Sequence, residues 1–190
     1  YSEFLALIVS PHKKDRPVKI AVIDDYQDAF RNLPCYARLK DHEVVVYNDT
    51  EKDAAKLALR LRGADAVVLT QQRTPLPRAL VEKLPAGLKL IAQTGRNTNH
   101  IDVAACTERG VTVSAGGGGL PNATAELTWG LIIGALRHIP FETAQLRAGH
   151  WQTTLGTGLN GKTLGIYAYG RIGSIVAGVG CAFGMKVVCL

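Results

Sequence analysis

The feature that most constrains this chain is a series of short, continuously apolar segments rich in β-branched residues, alternating with helical patterns. Residues 18–23 (VKIAVI) come first and run into Asp24-Asp25, after which a helix is expected. The strand signal returns at residues 43–47, 66–69, 88–93 and 111–114. Between these, residues 51–62 carry Ala54, Leu57, Ala58 and Leu61 at the helical period, and residues 102–109 read as a short helix. Strands apolar throughout need cover on both faces, which a parallel sheet between helical layers supplies. Crossovers between parallel strands are right-handed, so residues 17–115 are expected to form a doubly wound, flavodoxin-like α/β domain.

Four glycines, Gly116 to Gly119, follow and suit a hinge between two bodies. Residues 122–149 read as one long helix with Asn122 as N-cap and Glu126 complementing the dipole of the first turn. Its apolar run, Leu127 to Leu136, is shorter than the roughly 20 residues of a membrane span, so a buried helix is expected. Gly130 and Gly134 each cost about 1 kcal/mol against alanine in a helix interior, which points to close approach of another backbone. The hinge and linking helix together take residues 116–150. Alternation then restarts, with strands at 163–169 and 185–190 around a helix at 171–183. A lone βαβ unit has too few layers to bury its strands, so 151–190 are expected to be the first part of an incomplete domain.

The net charge of +6 favours anionic partners, but the basic residues are scattered apart from Lys13, Lys14 and Arg16. None interleaves with aromatics as a nucleic-acid surface requires, which weighs against that partner. Cys35, Cys106, Cys181 and Cys189 form neither a CxxC pair nor metal-ligand spacing; buried free thiols in a reducing cytoplasm, and no metal, are expected. Residues 1–16 lack the order of a secretory signal and read as a disordered leader.

The second strand–helix junction reads Gly165-Ile166-Tyr167-Ala168-Tyr169-Gly170-Arg171-Ile172-Gly173. A dinucleotide turn wants glycine first for the bend, second for close approach of the pyrophosphate, and third for helix–strand packing. The helix N-terminus then meets the phosphates with free N–H groups and partial positive charge. Gly170 and Gly173 hold the second and third positions, and Ala168 stands in the first. Its methyl group is expected to fit with a negative φ and to crowd the turn. The cofactor-binding residues are therefore Ala168, Tyr169, Gly170, Arg171, Ile172 and Gly173.

These residues, together with Ala125-Glu126-Leu127-Thr128, the run from Leu159 to Ile166, and Ala182-Phe183-Gly184-Met185, closely resemble the D-isomer-specific 2-hydroxyacid dehydrogenases. Thr94-Gly95-Arg96 leading into Asn99-His100-Ile101-Asp102 resembles them too, and the D-3-phosphoglycerate dehydrogenases are the nearest branch. The resemblance runs from about Val18 to Leu190. It implies an N-terminal substrate domain, a linking helix that makes a homodimer, and a Rossmann domain for NAD, with NADP the alternative. It also implies that Gly95, Arg96 and Asn97 bind substrate, a small 2-hydroxy or 2-keto acid, with amides at Gly95 and Arg96 on its carboxylate. The family's acid–base histidine, its carboxylate partner and its substrate-orienting arginine match no segment here, so no catalytic residue is assigned. The 190-residue chain alone is accordingly expected to be inactive. Ala168 and Leu120 depart from the family pattern, Leu120 standing where a polar residue is common. The acidic residue that would hold the ribose is expected past Leu190.

Other residues carry plainer readings. Asp24 and Asp25 could make a metal or phosphoacceptor pocket, but helix capping by Asp25 or its neighbour is favoured. His100 and His150 have no carboxylate at telling spacing, and Trp129 and Trp151 read as packing residues. Three function classes share these features: an oxidoreductase, a corepressor-like NAD-binding regulator, and a non-catalytic dimerising α/β domain.

Overall fold

A computed structural model describes residues 16–116 and 119–190, and the chain divides between Gly118 and Gly119 into two compact units. The first unit holds five parallel strands: β1 (Lys19–Ile23), β2 (Glu43–Val46), β3 (Ala66–Leu69), β4 (Leu90–Thr94) and β5 (Thr112–Gly116). Their order in the sheet is β2-β1-β3-β4-β5. Helices α1 (Ala54–Arg60), α2 (Arg78–Val81) and α3 (Val103–Glu108) connect them, as do 3-10 turns at Phe30–Asn32 and Pro34–Leu39.

Alternation along the strands divides the core into two layers. Ile20, Val22, Ala66, Val68 and Ala92 pack with Phe30 and Leu39 on one face. Ala21, Ile23, Val67, Leu69 and Ile91 meet Leu57, Leu61, Leu80 and Ala105 on the other. Burying each large aliphatic side chain contributes about 1.5–3 kcal/mol, which makes this two-sided burial the main support of the unit. The 3-10 turns replace the helix expected after Asp25. The Asp25 carboxylate accepts the N–H groups of Ala29 (3.0 Å) and Phe30 (2.8 Å), but the N-cap of the first 3-10 turn is Ala29 and not Asp25 or its neighbour.

The leader reading of residues 1–16 falls outside the described residues except at Arg16. That guanidinium is ordered, donating to Asp65 at 2.6 and 3.1 Å.

The second unit contains α4 (Pro121–Leu136), α5 (Ile139–Arg147), β6 (Thr163–Ile166), α6 (Arg171–Ala182) and β7 (Lys186–Cys189), with β6 and β7 parallel. The single long helix expected over 122–149 is two helices. His138 adopts the left-handed conformation (φ 53°) between them. The cause is Pro140, which lacks an N–H and whose ring would collide with the Leu136 carbonyl in a continuous helix. Asn122 is not the N-cap: Leu120 occupies that position with Pro121 following, and the first turn contains no acidic residue, so Glu126 lies beyond it.

Trp129 anchors α4 to α6. Its indole N–H donates to the Val176 carbonyl at 3.2 Å and its ring lies 5.2 Å from that of Phe183. Trp151, by contrast, is 73% exposed, so its packing role is not seen. The close approach expected at Gly130 is also absent. Among the described residues a Cβ there would meet nothing, whereas one on Gly180 would stand 2.7 Å from a Leu164 methyl. All four cysteines are free, but only Cys106 is buried; Cys181 and Cys189 are exposed. Among the described residues no helix is long and apolar enough to cross a membrane, and no cluster of potential ligands could hold a metal.

Candidate functional site

In an open parallel sheet the strand ends that carry ligands are the carboxyl ends. At that edge of the first unit the loops after β3 and β4 are tied together. The Thr94 hydroxyl donates to the Leu69 carbonyl (2.9 Å) and accepts the Gln71 N–H (2.8 Å). Gly95 follows with φ 124°, a value open to glycine, and its N–H donates to the Gly116 carbonyl at 2.9 Å. A Cβ at Gly95 would also meet the side-chain amide nitrogens of Gln72 and Gln93, at 3.5 and 3.7 Å. The loop then rises into solvent. Arg96 and Asn97 are exposed, and the Asn97 side-chain oxygen accepts the Asn99 N–H at 2.9 Å. Of the amides expected to hold a carboxylate, that of Gly95 is therefore engaged within the fold. Those of Arg96 and Asn97 donate to no backbone carbonyl among the described residues.

Two neighbours of this edge are structural. Asp24, buried with φ 63°, accepts the hydroxyls of Thr50 and Thr74, each at 2.7 Å, so its carboxylate is satisfied inside the fold. Arg73 donates to the Asp24 carbonyl and lies 4.3 Å over the Tyr26 ring, an arrangement that no sequence spacing indicates. Among the described residues both ring nitrogens of His100 are buried without partners, and burial holds its pKa below the usual imidazole range.

The second unit carries the dinucleotide-type turn. β6 ends at Ile166, and the chain bends through Tyr167, Ala168 and Tyr169 into Gly170, the N-cap of α6. Ala168 has φ 71°, which overturns the negative φ expected there. This is the left-handed region, where a Cβ crowds the following carbonyl at a cost of roughly 1–2 kcal/mol. Hydrogen bonds hold it there: its N–H donates to the Leu190 carbonyl (3.1 Å) and its carbonyl accepts the Gly170 N–H (2.9 Å).

The two glycines differ in what they serve. A Cβ on Gly173 would stand 2.8 Å from the Ala168 carbonyl oxygen and 3.2 Å from an Ile166 methyl, so the close packing of helix on strand demands glycine. A Cβ on Gly170 would meet nothing within 4 Å, and its φ of −103° suits any residue. The fold itself places no demand for glycine at 170.

Beyond Gly170 opens a cleft of about 520 Å³, lined on one side by Gly119, Leu120, Pro121 and Thr124. The other side is formed by Ala168 and Gly170 to Gly173. Both α4 and α6 begin at this cleft, neither with a side-chain cap or a first-turn carboxylate. Their leading N–H groups are thus left for water or a ligand. All six sequence-assigned cofactor residues fall in this turn; Ala168, Gly170, Arg171, Ile172 and Gly173 line the cleft, while Tyr169 does not.

The family model described as "D-isomer specific 2-hydroxyacid dehydrogenase, catalytic domain" matches residues 20–179. D-3-phosphoglycerate dehydrogenase of Methanocaldococcus jannaschii is 36% identical over 90% of this chain, which spans 32% of that protein. Glyoxylate reductase of Thermococcus litoralis is 35% identical over 78% of this chain and 47% of its own length. The crystal structure of phosphoglycerate oxidoreductase from Vibrio cholerae superposes with a TM-score of 0.85 at 46% identity, covering 91% of this chain and 56% of that one. The chain thus spans between about a third and a little over half of these relatives, and it belongs to the D-isomer-specific 2-hydroxyacid dehydrogenase family.

Proposed function

We propose that this chain supplies the substrate loop and the pyrophosphate cradle of an NAD(P)-dependent oxidoreductase that interconverts a small 2-hydroxy acid and a 2-keto acid. The observation that carries the proposal is Gly170, a glycine the fold does not require, set beside the uncapped N-terminus of α6 in an open cleft. A bare backbone there lets a phosphate reach the N–H groups of Arg171, Ile172 and Gly173, and the helix dipole favours its charge. When bound, a nicotinamide cofactor supplies hydride acceptance and donation; NAD is the proposed form, with NADP the alternative.

In the first unit the same logic assigns the substrate carboxylate to the amides of Arg96 and Asn97. Gly95 is then the bend that presents them, and its own N–H fixes that bend on Gly116. The Arg96 guanidinium, exposed on the same loop, adds positive charge for a carboxylate. We also propose a homodimer through α4 and α5, on which Leu127, Leu131, Ile139, Phe141 and Leu146 are 49–65% exposed. So much apolar surface on adjacent helices marks an interaction face.

Titration of NADH fluorescence tests the cofactor reading. Gly170→Val leaves the fold intact, because its Cβ enters empty space, and should abolish binding by holding phosphate off the amides. Ala168→Gly should bind at least as tightly as the parent. Equal affinity of all three proteins would remove the cofactor from this turn. Ala168 is also the observation that favours a non-binding interaction domain, and failure of Ala168→Gly to bind would decide for that reading.

A further inference from the structure

Between β3 and α2 the chain passes the same carboxyl edge as Gly95, and it is pinned on both sides of Gln72. The Gln71 N–H donates to the Thr94 hydroxyl at 2.8 Å, and the Thr74 hydroxyl donates to the Asp24 carboxylate at 2.7 Å. Gln72 itself is exposed, and among the described residues its side chain has no hydrogen-bond partner. Its amide nitrogen stands 3.5 Å from the point a Cβ on Gly95 would occupy. The amide nitrogen of Gln93 lies 3.7 Å from the same point, but that residue is fully buried and donates to the Thr94 carbonyl at 3.2 Å. Of the two amides at this bend, a ligand can reach that of Gln72. The one cation of the loop is turned elsewhere: Arg73 lies over the Tyr26 ring and donates to the Asp24 carbonyl.

We infer that Gln72 reads the tail of the substrate, so that the acid taken here is a monocarboxylate with a neutral hydroxyl on the carbon next to the reacting one, of the glycerate and hydroxypyruvate type. This rests on the assignment of the substrate carboxylate to the amides of Arg96 and Asn97. The Arg96 nitrogen is joined to the Gly95 Cα through a single carbonyl carbon, which puts it within about 7 Å of the Gln72 amide. A three-carbon acid bridges that span, its carboxylate accepting the loop N–H groups and its terminal hydroxyl reaching Gln72, each at about 2.9 Å. A primary amide suits a hydroxyl because it both donates and accepts. A methyl tail leaves the amide to water. A phosphate tail sets its charge against an uncharged side chain, with Arg73 already held on Asp24 and Tyr26. One neutral hydrogen bond is worth about fivefold in affinity.

Amide NMR of the ¹⁵N-labelled 190-residue chain tests this, with D-glycerate, D-lactate and D-3-phosphoglycerate as ligands and the Arg96 and Asn97 N–H resonances as reporters. D-lactate differs from D-glycerate by the tail hydroxyl alone and reports the carboxylate contribution. The expected result is D-glycerate about fivefold tighter than D-lactate, and tighter than D-3-phosphoglycerate. Gln72→Leu, at an exposed position, should bring D-glycerate down to the affinity of D-lactate and leave D-lactate unchanged. Equal binding of D-glycerate and D-lactate, a preference that survives Gln72→Leu, or D-3-phosphoglycerate binding as tightly as D-glycerate overturns the inference and leaves the substrate-loop reading standing. If none of the three ligands moves the Arg96 and Asn97 resonances, the substrate-loop reading fails and the inference with it.

Discussion

A side chain on Gly173 would begin 2.8 Å from the carbonyl oxygen of Ala168, closer than real Cβ atoms come to a backbone oxygen. The turn and the first turn of α6 are therefore built against each other. Gly173→Ala is expected to force them apart and to destabilise the second unit by about 1–3 kcal/mol, the usual range for overpacking a tight contact. Urea denaturation followed by circular dichroism measures it. An unchanged midpoint would show that the turn yields freely.

Ala168 gives the opposite expectation. Its φ of 71° strains an alanine, and glycine would relieve it. Against this, glycine adds freedom to the unfolded chain, worth about 0.4–1 kcal/mol. The net result for Ala168→Gly should be a gain of about 0.5–1 kcal/mol and a higher melting temperature by scanning calorimetry. A loss of stability would mean that the turn does not hold residue 168 in the left-handed region.

Much of this was legible in the sequence, and the misses share a cause. The seven strands stand out because each is an apolar run bounded by turn residues, and six of the seven end within two residues of expectation; β6 stops at Ile166, three residues short of it. The break between α4 and α5 was written in Pro140, but the apolar girth of Leu127 to Leu136 outweighed it as a signal of one helix. Helix α2, Arg78–Val81, has a single turn and leaves no periodicity to detect. At the site, the turn and its glycines were readable because their spacing is local. The left-handed φ of Ala168 also had a signal, since the first fingerprint position calls for a glycine to make the tight turn, and glycine is the residue that reaches that region freely. The engagement of the Gly95 N–H by Gly116 had none, because it depends on pairing β4 with β5.

His100 makes the first unit sensitive to acid. Burial lowers its folded pKa below the 6.5 of a free imidazole, so the unfolded chain takes up the proton first. Its share of stability is therefore complete above about pH 6.5 and declines as pH falls below that value toward the folded pKa. His100→Leu should flatten that part of the stability–pH curve. It should also keep or raise stability at neutral pH, because two unpartnered ring nitrogens leave the interior. Chemical denaturation at a series of pH values between about 5 and 8 checks both; an unaltered slope would assign the sensitivity elsewhere.

The proposed dimer rests on the exposed face of α4 and α5. Leu131 is 65% exposed, the most exposed of the apolar side chains on these two helices. Leu131→Asp should convert a dimer to a monomer in light scattering at micromolar concentration, with the fold retained. A parent chain that is already monomeric would reject the proposal, as would an aspartate variant that remains dimeric.

The central claim is that phosphate groups rest on the amides at the start of α6. Amide NMR of ¹⁵N-labelled protein titrated with NADH reads it most directly. The account predicts that the N–H resonances of Arg171, Ile172 and Gly173 move first and farthest, and that Gly170→Val suppresses those shifts without disturbing the rest of the spectrum. Shifts concentrated elsewhere, with these three amides unmoved, would contradict it.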